Sequence, residues 1–167
     1  PPLYFLKRPV SWLRVMSRHR ASLSFAPNFG YDLCVKRVTP AEQAGLDLSG
    51  WRVAGCGAEP VRAESLSQFA ARFATVGFEE SSFLPCYGLA EHTLAVSFHS
   101  VGDFWRADRV RAVALREQQV AIPCPPDEPG SISIVSCGRP FPGHAIRIAD
   151  NGGHALPERK VGEILLS

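Results

Sequence analysis

Two apolar runs, each ending in a glycine turn and separated by one amphipathic helical pattern, constrain this chain more than any other feature. The first is Val53-Ala54-Gly55-Cys56, which leads into Gly57-Ala58-Glu59-Pro60. The second is Ser82-Phe83-Leu84-Pro85-Cys86, which leads into Tyr87-Gly88-Leu89-Ala90-Glu91. Between them Leu66, Phe69, Ala70 and Phe73 keep the i, i+3, i+4, i+7 spacing of a helix with one buried face. Pro60 suits the first turn of that helix and Gly77 its end. Strand, helix, strand in this order predicts parallel pairing through a right-handed crossover. Open α/β sheets bind ligands where their strands end, because backbone amides and a few polar side chains converge there. The two turns are therefore expected to be two walls of one pocket, with the aromatic Tyr87, glycines that admit a ligand, and the carboxylate of Glu91.

The flanking stretches extend this pattern. Pro9 to Arg20 reads as a short helix with Trp12, Val15, Met16 and His19 on one face, which makes His19 a helix-edge residue. Ala21 to Ala26 alternates like a strand, Pro27-Asn28 breaks it, and Phe29 to Val38 resumes as a helix. Thr39 to Gly50 is a polar connector that tucks in Leu46 and Leu48. After Glu91 the character changes: His92 to His99 alternates, and Gly102 to Pro129 is charged and then proline-rich. Ile132–Val135, Ala145–Ile148 and Val161–Leu166 are short strands, and Asp150-Asn151-Gly152-Gly153 is a hairpin signal. The fold class expected is α/β, a parallel βαβ layer flanked by helices and followed by a smaller antiparallel β region.

Composition excludes several function classes. A chain of 167 residues with 46% hydrophobic content fits one globular domain. No apolar run approaches the roughly 18 residues that cross a bilayer, so no membrane span is expected. A net charge of +2 is too small to imply a nucleic-acid partner. Lys7, Arg8, Arg14, Arg18 and Arg20 do cluster near the start, where they read as a solvated helix face. Five scattered cysteines without a C-x-x-C pair argue against a zinc site or disulfide framework and for a reducing, cytoplasmic setting. Cys56 and Cys86, each closing an apolar run, read as packing residues. Gly55-x-Gly57 lacks the third glycine of a dinucleotide fingerprint, because Pro60 stands there. Walker loops, G-x-S-x-G and H-E-x-x-H are absent.

The remaining pair of motifs, thirty positions apart, resembles the adenylate-forming enzymes and, within them, the fatty acyl-AMP ligases. Four flanking stretches share the resemblance: Pro27-Asn28-Phe29-Gly30-Tyr31-Asp32-Leu33-Cys34, Leu46-Asp47-Leu48-Ser49-Gly50-Trp51, Val135-Ser136-Cys137-Gly138-Arg139-Pro140 and Val161-Gly162-Glu163-Ile164. The resemblance implies that a fatty carboxylate attacks the α-phosphate of ATP to give an acyl-adenylate and pyrophosphate. It implies that Tyr87, in Tyr87-Gly88-Leu89-Ala90, stacks on adenine and that the Gly57-Ala58-Glu59-Pro60 backbone forms the facing wall. It assigns Glu91 the magnesium that bridges ATP phosphates, and Asn28, Phe29 and Tyr31 the neighbourhood of the acyl tunnel. Read without that resemblance, Tyr87 is a core aromatic, Glu91 a helix-start acid and Pro27-Asn28 a plain turn.

Two positions depart from the wider pattern: Ala90 stands where most adenylate-forming enzymes carry threonine, and His92 where the subfamily carries a small alanine. Glu91 and Cys137 stand 46 positions apart, long for an acyl-CoA ligase. That length resembles the subfamily in which an inserted segment disfavours coenzyme A and the acyl group passes to an acyl carrier protein. The expected organisation is an α/β subdomain at 1–98 carrying the adenine and metal motifs, an inserted loop segment at 99–130, and the β-rich start of the next subdomain at 131–167. The chain begins Pro1-Pro2, and the family's phosphate loop, ribose-binding aspartate and C-terminal lysine have no match in it. The expectation is a central piece of a longer ligase, inactive alone, with exposed apolar surface that leaves room for self-association. An acyl-CoA ligase and a non-catalytic module that keeps the fold are the competing readings.

Overall fold

The computed structural model describes residues 2–167. In chain order the elements are α1 (Pro2–Lys7), α2 (Val10–His19), β1 (Leu23–Ala26), α3 (Asn28–Arg37), α4 (Pro40–Gln43), β2 (Val53–Cys56), α5 (Ala63–Phe73) and β3 (Phe83–Leu89). They continue as β4 (Leu94–Phe98), β5 (Ala107–Arg111), α6 (Ala112–Glu117), β6 (Ser131–Val135), β7 (Arg139–Pro140), β8 (Ile146–Ala149) and β9 (Glu163–Leu166). The main sheet has the order β1-β2-β3-β4-β7. Its first three strands run parallel, with Leu23 opposite Val53 and Ala54 opposite Phe83. β4 folds back antiparallel on β3 and β7 pairs antiparallel with β4. This is the mixed α/β architecture expected from the sequence, a parallel layer followed by antiparallel strands.

Local chemistry explains the boundaries. α2 stops at Arg20, whose left-handed backbone (φ 46) lets its N–H reach the Met16 and Ser17 carbonyls. α4 is started by a capping box: the Thr39 hydroxyl accepts from the Glu42 N–H at 3.3 Å, and the Glu42 carboxylate accepts from the Thr39 N–H at 3.1 Å. α5 turns inward the stripe that its sequence spacing predicts, with Leu66, Phe69 and Phe73 fully buried. Pro60, expected at the first turn of that helix, lies three residues ahead of it.

The core is an aromatic stack between the sheet and its helices. Tyr31 sits edge-on to Trp12, Phe69 and Phe83, with ring centroids 5.1 to 5.4 Å apart. Phe69 and Phe78 meet at 4.9 Å, and Phe78 and Phe83 at 5.1 Å. Edge-to-face pairs at such spacing each contribute about 0.5–1.5 kcal/mol beyond their buried area. Leu46 and Leu48 are buried in the same cluster, as the connector reading expected.

Several expectations are corrected. α2 turns Trp12 and Met16 inward as expected, together with Val10 and Leu13, but Val15 is exposed, because the buried face is centred on Leu13; His19 is exposed at the end of the helix, as a helix-edge residue. The segment 99–130 is more than a loop: it contains β5 and α6, and β5 pairs along its whole length with β6, from Ala107 opposite Val135 to Arg111 opposite Ser131. That pair therefore spans the boundary drawn at 130. The Asp150–Gly153 turn does reverse the chain, with the Asp150 carboxylate accepting from the Gly152 and His154 N–H groups at 2.9 Å. The strand that pairs with β8 is nevertheless β9, further along the chain. No helix among the described residues is long and apolar enough to cross a membrane.

Candidate functional site

The C-terminal ends of β1, β2 and β3 lie side by side, so Ala26-Pro27, Gly57-Ala58 and Tyr87-Gly88 converge at one edge of the sheet. They border a cavity of about 370 Å³ whose remaining walls are Phe25, Cys86, Leu94, Ala95 and Phe98. The volume lies within the range of small-ligand pockets, and the walls are apolar. Tyr87 is partly exposed, with 36% of its surface open, so its ring is available to a planar partner and is not a core aromatic.

Two close approaches shape the walls. A Cβ on Gly57 would stand 2.7 Å from the Cys86 sulfur and 2.8 Å from its carbonyl oxygen, so only glycine lets the turn lie on the neighbouring strand. A Cβ on Gly88 would run into the Leu94 carbonyl, where the β3–β4 register shifts by a bulge between Tyr87 and Gly88. Bulges re-aim side chains beside sites, and this one coincides with Tyr87. Ala58 adopts a left-handed backbone with φ 67, unusual for a residue with a Cβ.

Glu91 is the middle residue of a single 3-10 turn, Ala90–His92, directly after β3. It is exposed and has neither a hydrogen bond nor an ion pair among the described residues. A free carboxylate a few residues beyond the cavity suits a magnesium ion carried on phosphates, since such ions take one or two carboxylates and keep their remaining oxygen ligands from substrate and water. No cluster of three or more His, Cys, Asp or Glu side chains that could hold a metal ion occurs among the described residues. His92 meets His144 edge-on at 4.9 Å, which joins the Glu91 turn to the segment before β8.

The expected site residues separate into groups. Gly57, Ala58, Tyr87 and Gly88 line the cavity. Glu59 and Pro60 in the turn after β2, Leu89 at the end of β3, and Ala90 and Glu91 in the turn after it do not border it. Phe29, half exposed, lines a second apolar cavity of about 480 Å³ together with Tyr4, Phe5, Trp12 and Val15. Phe25, Ala26 and Pro27 border both cavities. Asn28 and Tyr31, expected beside the acyl tunnel, line neither cavity. Tyr31 is fully buried in the aromatic core and donates its hydroxyl to the Gly55 carbonyl at 2.8 Å, because that helix face packs on the sheet. Asn28 is buried and engaged with the Glu59–Arg62 segment.

Sequence reasoning missed Phe25, Leu94 and Phe98 as wall residues. Phe25 was findable, since β1 is a third parallel strand ending at the same edge. Leu94 and Phe98 carried no signal, because their place depends on β4 folding back. The thiols around the site are held neutral: burial pushes Cys56 up to about 12 and Cys86 up to about 11. They are packing groups, as the sequence suggested.

Comparison with known proteins fits this geometry. The chain is 40% identical over 150 residues to the medium-chain-fatty-acid–acyl-carrier-protein ligase JamA of Moorena producens, covering 89% of this chain and 25% of that protein. A structure from work on fatty acyl-adenylate ligases of E. coli and L. pneumophila superposes with TM-score 0.93 at 44% identity, over 98% of this chain and 30% of that one. The L. pneumophila fatty acyl-adenylate ligase in complex with acyl adenylate and pyrophosphate gives TM-score 0.90 at 38% identity, over 98% of this chain and 28% of that one. The chain thus spans between a quarter and a third of the length of these relatives. Residues 3–167 match the AMP-binding enzyme family, and with that match over nearly the whole chain and these structural likenesses, the chain belongs to the AMP-binding enzymes.

Proposed function

We propose that this chain is the nucleotide-binding part of an ATP-dependent fatty acyl-AMP ligase, which activates a fatty acid to acyl-adenylate and pyrophosphate. The observation that carries the reading is the single cavity bordered both by the exposed Tyr87 ring and by the Gly57-Ala58 backbone. Tyr87 stacks on adenine, and the Gly57-Ala58 backbone forms the opposing wall, with Glu59 and Pro60 completing the turn behind it. Gly88, Leu89 and Ala90 carry the chain from that ring to Glu91. Glu91 is the carboxylate for magnesium, which when bound neutralises charge on the phosphates during attack by the fatty carboxylate. Phe29, on the adjoining apolar cavity, contacts the acyl chain.

The acceptor is an acyl carrier protein, as it is for the similar ligase JamA by its name, and the segment 99–130 disfavours coenzyme A. The setting is cytoplasmic. Leu23, Phe25, Tyr87 and Leu94 expose apolar surface, which another part of a longer protein covers, or a second copy when the chain is isolated.

The test is pyrophosphate release with ATP, magnesium and a series of fatty acids. The full-length protein is expected to turn over, and Tyr87→Ala and Glu91→Gln to lower kcat/KM by about tenfold to a thousandfold. The isolated chain is expected to be inactive. Full-length activity untouched by both substitutions refutes the site assignment, and rapid thioester formation with coenzyme A refutes the acceptor.

A further inference from the structure

The Gly57–Pro60 turn is held by one side chain outside it. Residues 58–61 take part in no main-chain to main-chain hydrogen bond among the described residues. Asn28 supplies the missing constraints from the start of α3. Its Nδ2 donates to the Glu59 carboxylate at 2.9 Å and to the Pro60 carbonyl at 3.0 Å. Its Oδ1 accepts from the Arg62 N–H at 2.9 Å and from the Cys56 thiol at 3.6 Å. One primary amide thus uses both of its hydrogens and both lone pairs of its oxygen, which is its full capacity. The four partners lie on both sides of Ala58, and Asn28 itself is 1% exposed.

The turn needs such a clamp. Ala58 is left-handed, a conformation that costs an L-residue energy and persists only where its surroundings impose it. The same Glu59 carboxylate also accepts from the Phe29 N–H at 3.4 Å, so the clamp ties α3 to the turn through two adjacent residues. Asn28 reaches neither cavity, and so cannot touch a ligand in them directly.

We propose that Asn28 is a positioning residue for nucleotide binding: bridging Cys56 to Glu59, Pro60 and Arg62, it fixes the Ala58 backbone at the distance from Tyr87 that a purine requires. This rests on the nucleotide reading of the cavity given above. It makes Asn28 part of the nucleotide wall's support, where the family resemblance alone would place it by the acyl chain.

The experiment measures KM for ATP, KM for the fatty acid and kcat in the full-length protein, with a thermal melt of each variant. Asn28→Asp keeps the acceptor oxygen but removes both donors and sets two carboxylates together. It is expected to raise KM for ATP by about tenfold, the equivalent of one or two buried hydrogen bonds, with KM for the fatty acid changed less than about threefold. Adding Glu59→Gln restores a donor and acceptor pair with reversed direction and is expected to recover most of the loss. Glu59→Ala, at an exposed residue, covers the case in which Asn28→Asp does not fold, and is expected to show the same selective rise. Equal rises in both KM values, no rise in either single variant, or no recovery in the double variant overturns the proposal while ATP-dependent activation stands. A wild-type protein that releases no pyrophosphate with any fatty acid overturns the nucleotide reading, and the proposal with it.

Discussion

Gly57 and Gly88 put backbone where a side chain would collide, but the obstacles differ. At Gly57 one of the two blocking atoms is the Cys86 sulfur, which a substitution can remove, and the other is a carbonyl oxygen. At Gly88 the block is the Leu94 carbonyl itself. Gly57→Ala and Gly88→Ala are each expected to cost about 1–3 kcal/mol from forced displacement, measured by urea denaturation. Adding Cys86→Ala is expected to return part of the loss at Gly57 and none at Gly88. Equal recovery at both positions would mean that the strand spacing, and not these atoms, sets the cost. Gly57 was legible because a strand ending in glycine is itself a signal, but Gly88, expected in a turn after Cys86, lies inside β3 at the bulge opposite Ala95, which only the fold-back of β4 creates. The left-handed Ala58 beside Gly57 was not, since alanine does not advertise that conformation.

At the scale of elements, α3 shows how a helix divides between fold and site. It begins at Asn28 with Phe29 turned outward to a cavity, and Tyr31 and Cys34 turned fully inward. Tyr31→Ala is expected to cost about 3–5 kcal/mol, because it empties the centre of the aromatic stack and removes the bond to Gly55. Phe29→Ala is expected to change stability by less than about 0.5 kcal/mol, as an exposed side chain away from the core. Chemical denaturation of the two variants checks the division, and a large loss at Phe29 would contradict it. The sequence placed this helix and α5 correctly, because each has a break before it and a helical stripe within. In α2 it placed Trp12 and Met16 inward but took Val15 where Leu13 is buried, since both are apolar and only tertiary packing decides between them. It read β5 as loop because Ala107-Asp108-Arg109-Val110-Arg111 exposes most of its side chains and only Val110 is fully buried.

For the whole molecule, buried thiols make stability depend on alkaline pH. Burial pushes Cys34 and Cys56 up to about 12 from an ordinary value of 9.0, and raises Tyr31 well above 10.0. The fold retains these protons to a higher pH than the unfolded chain does. Their contribution is complete below pH 9, and is lost as pH rises from there through about 12. The urea midpoint is expected to fall between pH 8 and about pH 10.5, and to fall less in Cys34→Ala. The same thiols are expected to resist alkylating reagents at neutral pH until the protein is unfolded, because only the thiolate reacts. A midpoint that is flat over this range would show that the thiols are not sealed in the core.

The main sheet has one further property at this scale. Phe98 at the end of β4 and Arg139 at the start of β7 are direct partners, so everything between them departs from and returns to a single point on the sheet's margin. That point is fastened independently: the His99 N–H donates to the Pro85 carbonyl at 3.0 Å and the Phe141 N–H to the Val96 carbonyl at 3.2 Å. The excursion is also seated on the core through Val135 and through Trp105, which donates to the Glu80 carboxylate at 3.1 Å, so length can change in its outer turn, residues 118–130, without shifting the strand ends that carry Tyr87 and Gly57. Under the function proposed above, an acceptor preference set by that outer turn would evolve at a distance from the nucleotide wall.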